Sequence, residues 1–350
     1  MNNELVRRMP AEWEPHAATW IAWPHEESDW PGKFQTIPWV YTEIVRVLSR
    51  SEMVHVLCKS TEAAQAAETL LKLSGVTENY RLHVCTTDRS WLRDSAPTAV
   101  ISSSQRVELV AWQFNAWAKY SNYALDQEVP SFISNVTSHS LVRAVRPDNG
   151  LPFVLEGGSI DTDGQGTLLT TEECLLSEIQ NRNPGMSKTD YEEAFERYLG
   201  VTQVIWLGRG CAGDDTHGHV DDIARFVAPG RVIAAVEEDP SDENYEPLQE
   251  NLYRLRQAQD AHGRPLEVIE LPMPRCIAFE GTRLPASYAN FYIANSTVVV
   301  PLFNDENDIR ALELIQSCFP TRKAIGIYCG DLILGLGTLH CLTQQEPRAN

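Results

Sequence analysis

The chemistry-bearing residues fall into four short motifs. The first is GLGTLHC, Gly335 to Cys341, close to the end of the chain. Glycines allow the backbone to approach a ligand closely or to take positive φ. A cysteine just beyond such a loop can be presented to a pocket as a thiolate nucleophile, and a cationic neighbour or substrate lowers its pKa. The competing reading of Cys341 is a small buried hydrophobe. The second motif, GDDTHGHVDD from Gly213 to Asp222, holds Asp214, Asp215, His217, His219, Asp221 and Asp222. In an extended segment His219 and Asp221 share a face, which would suit acid/base work and cation binding. Alternatively, His217 and His219 form an H-x-H metal pair, or the whole stretch is a solvated acidic loop. The third, DRSWLRDSAP, places Asp94 after Trp91 and Arg93 and before Pro97. Asp94 is there either a carboxylate for a cation, with Trp91 as its aromatic wall, or half of a surface ion pair with Arg93. The fourth, VLEGGSIDTDG, sets Glu156 at the end of an apolar run before Gly157 and Gly158. It reads as a β-turn; the spacing of a calcium loop is not met.

These residues need elements to hold them. Short β-rich runs recur along the chain, among them Thr19 to Trp23, Val54 to Cys58, Thr98 to Ile101, Val107 to Trp112, Phe153 to Leu155, Thr167 to Thr170, Val232 to Val236 and Ala324 to Tyr328. Helical spacing appears between them, at Ile37 to Leu48, Glu62 to Leu73, Ser187 to Leu199, Ser241 to His262 and Asn307 to Phe319. Ser187 is placed to cap its helix and Gly200 to stop it. The pattern is interleaved α/β. Asp94, Glu156, His219, Tyr288 and Cys341 follow strand-like runs at spacings of 62, 63, 69 and 53 residues. That rhythm predicts five units, each giving one functional loop to a common axis.

Composition narrows the function. The 350 residues carry a formal net charge of −19, which argues against nucleic acid as a partner and suits a cationic substrate. The start of the chain has no apolar signal region. The uncharged stretch Leu284 to Asn304 is broken by Pro285, Asn290, Asn295 and Pro301, and is read as two buried strands, not a membrane span. Eight scattered cysteines without C-x-x-C predict reduced thiols and a cytoplasmic protein.

Taken together the motifs carry a family likeness. With MPAEWEPHAATWIAWP, WLRDSAP, FNAW, LEGGSIDTDGQGTLLTTEECLL, RNPG, DDTHGHVDD, ASYANFY and GLGTLHCLTQQEP, in that order from Met9 to Pro347, the chain resembles the agmatine deiminase family, the bacterial peptidylarginine-deiminase-like branch of the guanidino-group-modifying pentein superfamily. The resemblance implies one catalytic domain over residues 1–350, folded as a five-fold pseudo-symmetric α/β propeller with the active site on its axis. It also implies hydrolysis of a guanidinium to a ureido group and ammonia, with no cofactor and no metal. Carried over, Cys341 is the nucleophile, His219 the general acid/base, and Asp94 and Asp221 the guanidinium-binding carboxylates. Trp91, Glu156 and Asp215 belong to the substrate pocket, and Gly335 and Gly337 shape the nucleophile loop.

The chain departs from the family pattern at several places. Asp215 and His217 stand where the agmatine enzymes often carry Glu and Asn, and that Glu is associated with the far amine of agmatine. Asp161 stands where a His is usual, Ala96 where a Gly is usual, and GLG replaces a triple glycine. The expected substrate is a small cationic guanidino compound, first agmatine. The alternatives are arginine, an arginine derivative or peptidylarginine, amidino transfer to an amine, or a non-catalytic guanidino-binding homologue. A homo-oligomer is left open, as is which of Trp20, Trp23, Trp30, Trp112 and Trp117 face a pocket.

Overall fold

The structure is a computed structural model and describes residues 7–349. It is a mixed α/β fold of small mixed sheets. One arrangement recurs in four of them. An antiparallel pair is followed by a helix that crosses back to a parallel third strand, since parallel neighbours need a crossover. Thr98–Ser102 and Val107–Ala111 pair antiparallel, and helix Val129–Thr137 leads to Ser140–Arg143. Asp161–Thr162 and Thr167–Thr171 are joined through Lys188–Leu199 to Gln203–Leu207. Ala224–Ala228 and Arg231–Val236 lead through Tyr245–Gln257 to Glu267–Pro272. Tyr292–Ile293 and Thr297–Leu302 lead through Asp308–Cys318 to Lys323–Tyr328. In a fifth sheet the antiparallel partner comes from the other end of the chain. Thr343–Pro347 lies beside His16–Ala22, with Thr343 opposite Ile21, and two helical crossovers add Met53–Cys58 and Tyr80–Val84. That closure places Cys341, immediately before Thr343–Pro347, against the start of the chain.

Local chemistry explains the elements. The Ser187 hydroxyl and Asp190 form a reciprocal capping box, and Gly200 ends that helix at φ 71°, as the sequence predicts. Each helix buries one apolar stripe, such as Ile37, Tyr41, Ile44, Val45 and Leu48 of Ile37–Leu48. Strands buried on both faces read as near-continuous apolar runs, as in Thr98–Ser102, where every residue is buried.

Three expectations change. Phe153 to Leu155 is no strand: Val154 makes a single bridge to Gln113. The helix expected over Ser241 to His262 is confined to Tyr245–Gln257, because Asp239, Ser241, Asp242 and Asn244 fold into side-chain-capped turns before it. Of Leu284 to Asn304, only Tyr292–Ile293 and Thr297–Leu302 are strands. The part before them is a buried loop in which the Ser287 hydroxyl accepts the Ala289 N–H, and it carries Asn290 into the site described below. All eight cysteines are free. No helix among the described residues is long and apolar enough to cross a membrane.

Candidate active site

Apart from the small hairpin of Ala278–Phe279 and Thr282–Arg283, the described residues form five sheets, and the segments leading into them deliver side chains to one buried cluster. Asp94 comes from the short helix Leu92–Ser95, Glu156 and Gly158 from the EGGS turn, and His219 and Asp221 from the entry to the helical turn Val220–Asp222. Cys341 comes from Leu339–Leu342. The rhythm's fourth member, Tyr288, does not join them: its hydroxyl donates to Asp308. Asn290, two residues on, takes that place, with its Nδ2 3.1 Å from Cys341 Sγ.

A cavity of about 200 Å³ opens onto this cluster, with Cys341, Asp94, Trp91, Trp117, Gly335 and Asp215 among its walls. Behind it, Asp221 Oδ2 lies 3.7 Å from Cys341 Sγ and His219 Nδ1 lies 3.8 Å from Asp94 Oδ1. Glu156 is not a wall of the cavity. It is fully buried behind His219, 3.6 Å from Nε2, and is paired with Arg182 at 3.1 Å. Among the described residues, neither nitrogen of His219 has a hydrogen-bond partner, nor does one oxygen each of Asp221 and Glu156.

The carboxylates set the electrostatics. Burial lifts Asp94 to about 6, with Asp221 and Glu156 adding to it against His219 and the Trp117 indole. Burial opposes a charge on His219, but Asp94, Glu156 and Cys174 outweigh it and hold the imidazole pKa well above its ordinary value. Burial also opposes a charge on Asp221, yet His340, 2.7 Å away, keeps it ionised and below the usual range. Asp222 beside it is pushed far upward by burial and by the Asp221 and Asp214 charges. Burial and the charges of Asp221, Asp222 and Asp94 raise the Cys341 thiol well above its usual value. A cation entering the cluster reverses that field.

Two glycines are required by close approach. A Cβ on Gly335 would come within 2.7 Å of both Trp30 and Trp91, and one on Gly337 within 3.2 Å of Cys341 Sγ. Between them Leu336, with φ 66°, is the non-glycine residue of the GLG departure, and it lines the cavity. Trp91 donates to Asp29 at 3.1 Å and rests against Trp30. Trp117 donates its indole N–H to Asp94 at 2.9 Å. Trp20, Trp23, Trp30 and Trp112 belong to the core.

The other departures resolve by position. His217 turns away from His219: its Nε2 lies 3.1 Å from the Ser177 hydroxyl, in a separate surface depression. The H-x-H pair therefore does not converge. Asp161 is an internal ion-pair partner of Arg225 at 2.8 Å, and Ala96 is buried among Trp20, Leu92 and Ala99. Asp215 is at the mouth of the cavity, where it accepts from the Tyr120 hydroxyl and faces Lys119 at 3.2 Å.

Sequence reasoning passed over several participants. His340 bridges Asp221 and Glu12, at 2.7 and 2.8 Å, and Glu12 in turn meets Arg225 at 3.0 Å. Asp29 and Arg89 form an ion pair in the cavity wall, and burial lifts Asp29 to about 6. Asn290 lay in the quoted ASYANFY stretch. Only the density of polar residues in an otherwise apolar segment could have marked it.

The class of protein is defined by what shares this fold over the whole chain. An inosamine-phosphate amidinotransferase from Streptomyces griseus superposes with a TM-score of 0.51 at 15% identity, over 99% of this chain and 98% of its own, and shows the shared fold. Agmatine deiminase of Enterococcus faecalis, in a structure catalysing its reaction, superposes with a TM-score of 0.90 at 35% identity, over 99% of this chain and 97% of its own. A Cys-to-Ser variant of agmatine deiminase from C. jejuni, with substrate bound, gives 0.88 at 29% identity, over 100% and 98%. The class is that of enzymes acting on amidino groups. Within it, residues 8–347 match the family described as Porphyromonas-type peptidyl-arginine deiminase, and the chain belongs to that family. It is a hydrolase acting on amidines, of the agmatine deiminase kind.

Proposed function

We propose that this chain hydrolyses the guanidinium of a small cationic compound, agmatine first, to a ureido product and ammonia. We read residues 1–350 as one catalytic domain and the five sheets as a five-fold pseudo-symmetric propeller with the site on its axis. The observation that carries the reading is the convergence of four buried groups: Cys341 and Asp94 in the wall of one cavity, with Asp221 and His219 directly behind them.

A guanidinium is planar and presents paired N–H groups suited to carboxylates. Asp94 and Asp221 grip it from two sides, and its charge is the compensation that two buried carboxylates require. The same charge draws the Cys341 thiol to its thiolate, the proton leaving to solvent. Sulfur attacks the central carbon, and the C=N electron pair moves to nitrogen. His219, protonated as its surroundings favour, gives its proton to one NH2 group, and the C–N bond breaks to release ammonia. The covalent thiouronium that remains is again a cation between the two carboxylates. His219, now neutral, takes a proton from water as the oxygen adds to carbon. The C–S bond breaks, its electrons return to Cys341, and the product loses a proton to become the ureido compound.

The test is ammonia release from agmatine, arginine, a blocked arginine amide, guanidinobutyrate and guanidine, with wild type beside Cys341→Ala. Release from agmatine, lost in the variant, together with a mass adduct on Cys341 in a quenched reaction, is the expected result. A fully active Cys341→Ala protein would overturn the mechanism. One observation favours a second substrate. Lys119 and Arg89 neutralise Asp215 and Asp29 at the mouth, a balance that also suits a tail bearing both charges, as in arginine.

A further inference from the structure

We propose that Asn290 is a further catalytic residue, whose side-chain amide donates a hydrogen bond to Cys341 Sγ and holds the sulfur as a thiolate for attack. The proposal rests on the deiminase reading, in which that sulfur is the nucleophile.

The orientation of the amide is fixed by its surroundings. Asn290 Oδ1 accepts the backbone N–H of His340 at 3.0 Å, that of Cys341 at 3.4 Å, and the Thr338 hydroxyl at 2.8 Å. Backbone N–H groups can only donate, so the oxygen must face them. The NH2 group is left facing Asp222 Oδ1 at 3.0 Å and Cys341 Sγ at 3.1 Å. A flipped amide would set NH2 against two backbone N–H groups and its oxygen against a carboxyl oxygen. Every hydrogen-bonding atom of this buried side chain is thereby used, and one hydrogen points at sulfur.

The need for such a donor follows from the charges. Asp94, Asp221 and Asp222 surround the sulfur, and each of them opposes an anion there. Among the described residues, Asn290 is the one group that donates a hydrogen bond to Sγ. A Lys or Arg in its place would stabilise a thiolate more strongly, but would repel the guanidinium that the carboxylates collect. A neutral amide stabilises the thiolate and leaves the site attractive to a cation. The same residue fixes the nucleophile loop, because its oxygen caps the first turn of Leu339–Leu342.

The test is the pH profile of Cys341 alkylation by iodoacetamide, mapped by mass spectrometry because seven other cysteines are present. A hydrogen bond to a charged acceptor is worth enough that its loss moves the profile up by about one to two pH units, and lowers the rate below the midpoint roughly ten- to a hundred-fold. Asn290→Ala should show this shift with a matching fall in kcat and little change in KM. Asn290→Asp, which keeps the shape and presents oxygen to sulfur, should show it too, and decides the matter if Asn290→Ala does not fold. Thr338→Val, which leaves the donor in place, should stay near wild type. A wild-type alkylation profile in the folded Asn290 variants overturns the proposal, even if their turnover falls. A wild-type protein that releases ammonia from no guanidino compound would overturn the deiminase reading instead, and the alkylation profile would still report on Asn290.

Discussion

Gly158 lies against the imidazole of His219 so closely that a Cβ would stand 2.5 Å from Nδ1, and it would also come 3.0 Å from Asp94 Oδ1 and 3.1 Å from Asp221 Oδ2. The three groups read as acid, base and cation ligands thus surround one point, kept open by a missing side chain. Its backbone N–H also donates to Asp94 at 3.0 Å. Gly158→Ala should therefore lower kcat/KM at least about 100-fold, since displacement of catalytic groups by as little as 1 Å costs that much. Overpacking should cost roughly 1–3 kcal/mol of stability. Kinetics and denaturant unfolding read the two effects separately. A variant with near-normal kcat/KM would show that His219 need not stand where it does.

The raised pKa of Asp94 sets opposite pH dependences for stability and activity. Its carboxyl moves from an ordinary 3.8 to about 6 in the fold. Between those values the folded chain holds a proton that the unfolded chain has lost, so this group's contribution to stability falls as pH rises through the window. Guanidinium binding needs the ionised form, so kcat/KM should rise across pH 6 as the free enzyme loses that proton. Asp94→Asn should remove the acid limb of kcat/KM and flatten the stability trend by Asp94's share, while Asp29, also lifted to about 6, keeps its own. The stability trend is read from denaturant midpoints between about pH 4 and 6.5. An acid limb in kcat/KM that survives in a residually active Asp94→Asn protein would assign it to another group.

Much of this arrangement was legible in the residues. Cys341, His219, Asp94 and Asp221 stand in compact motifs whose types already suggest a nucleophile, a proton carrier and cation ligands. The five-unit rhythm called for repeated units, and the antiparallel pair with a helical crossover recurs in four sheets, while its fourth member, Tyr288, lies outside the cluster. What the sequence did not disclose depends on distance along the chain. His340 meets Glu12 from 328 positions away. Strand Thr343–Pro347 is polar, with Gln344, Gln345 and Glu346, and is held by its pairing with His16–Ala22 instead of by its own pattern. The fate of His217 lay in its surroundings: with φ at 66° its ring meets the Ser177 hydroxyl, 40 positions away, instead of His219. The buried loop before Tyr292 read as strand because its apolar residues resemble one. Its Asn290 acts only through partners in other motifs.

Ala116, Trp117 and Ala118 are three consecutive non-glycine residues in the left-handed region, with φ of 50°, 59° and 52°. This bend aims the Trp117 indole at Asp94, and Gln180 holds it by donating to the Trp117 and Asp215 carbonyls at 3.0 and 2.9 Å. L-residues pay about 1–2 kcal/mol in this conformation, which exceeds the entropy lost by glycine. Ala118 is exposed, so its methyl contributes no packing. Ala118→Gly should raise stability by roughly 0.5–1 kcal/mol in denaturant unfolding, with kcat unchanged. A destabilised variant would show that the bend is not under strain at this position.

If the mouth of the cavity selects the substrate tail, as proposed, Lys119 is the residue that reports it. Its ammonium lies 3.2 Å from Asp215, which the proposed agmatine reading assigns to the far amine, and its own side chain is more than a third exposed. In water such a pair contributes little to folding, so Lys119→Ala should leave stability within about 0.5 kcal/mol of wild type. Its effect on binding depends on the tail of the substrate. For a tail that ends in an ammonium, removing Lys119 frees Asp215 and should lower KM about three- to ten-fold, the worth of one partly screened charge. For a tail that carries a carboxylate, the same change removes an attractive cation, and KM should rise by a similar factor. Measuring KM for agmatine and for guanidinobutyrate, whose tail carries a carboxylate alone, on wild type and Lys119→Ala gives two ratios whose signs should oppose each other. The compound with the higher wild-type kcat/KM is the better substrate. If neither KM moves, Asp215 does not contact the tail, and recognition falls to Asp29 and Arg89.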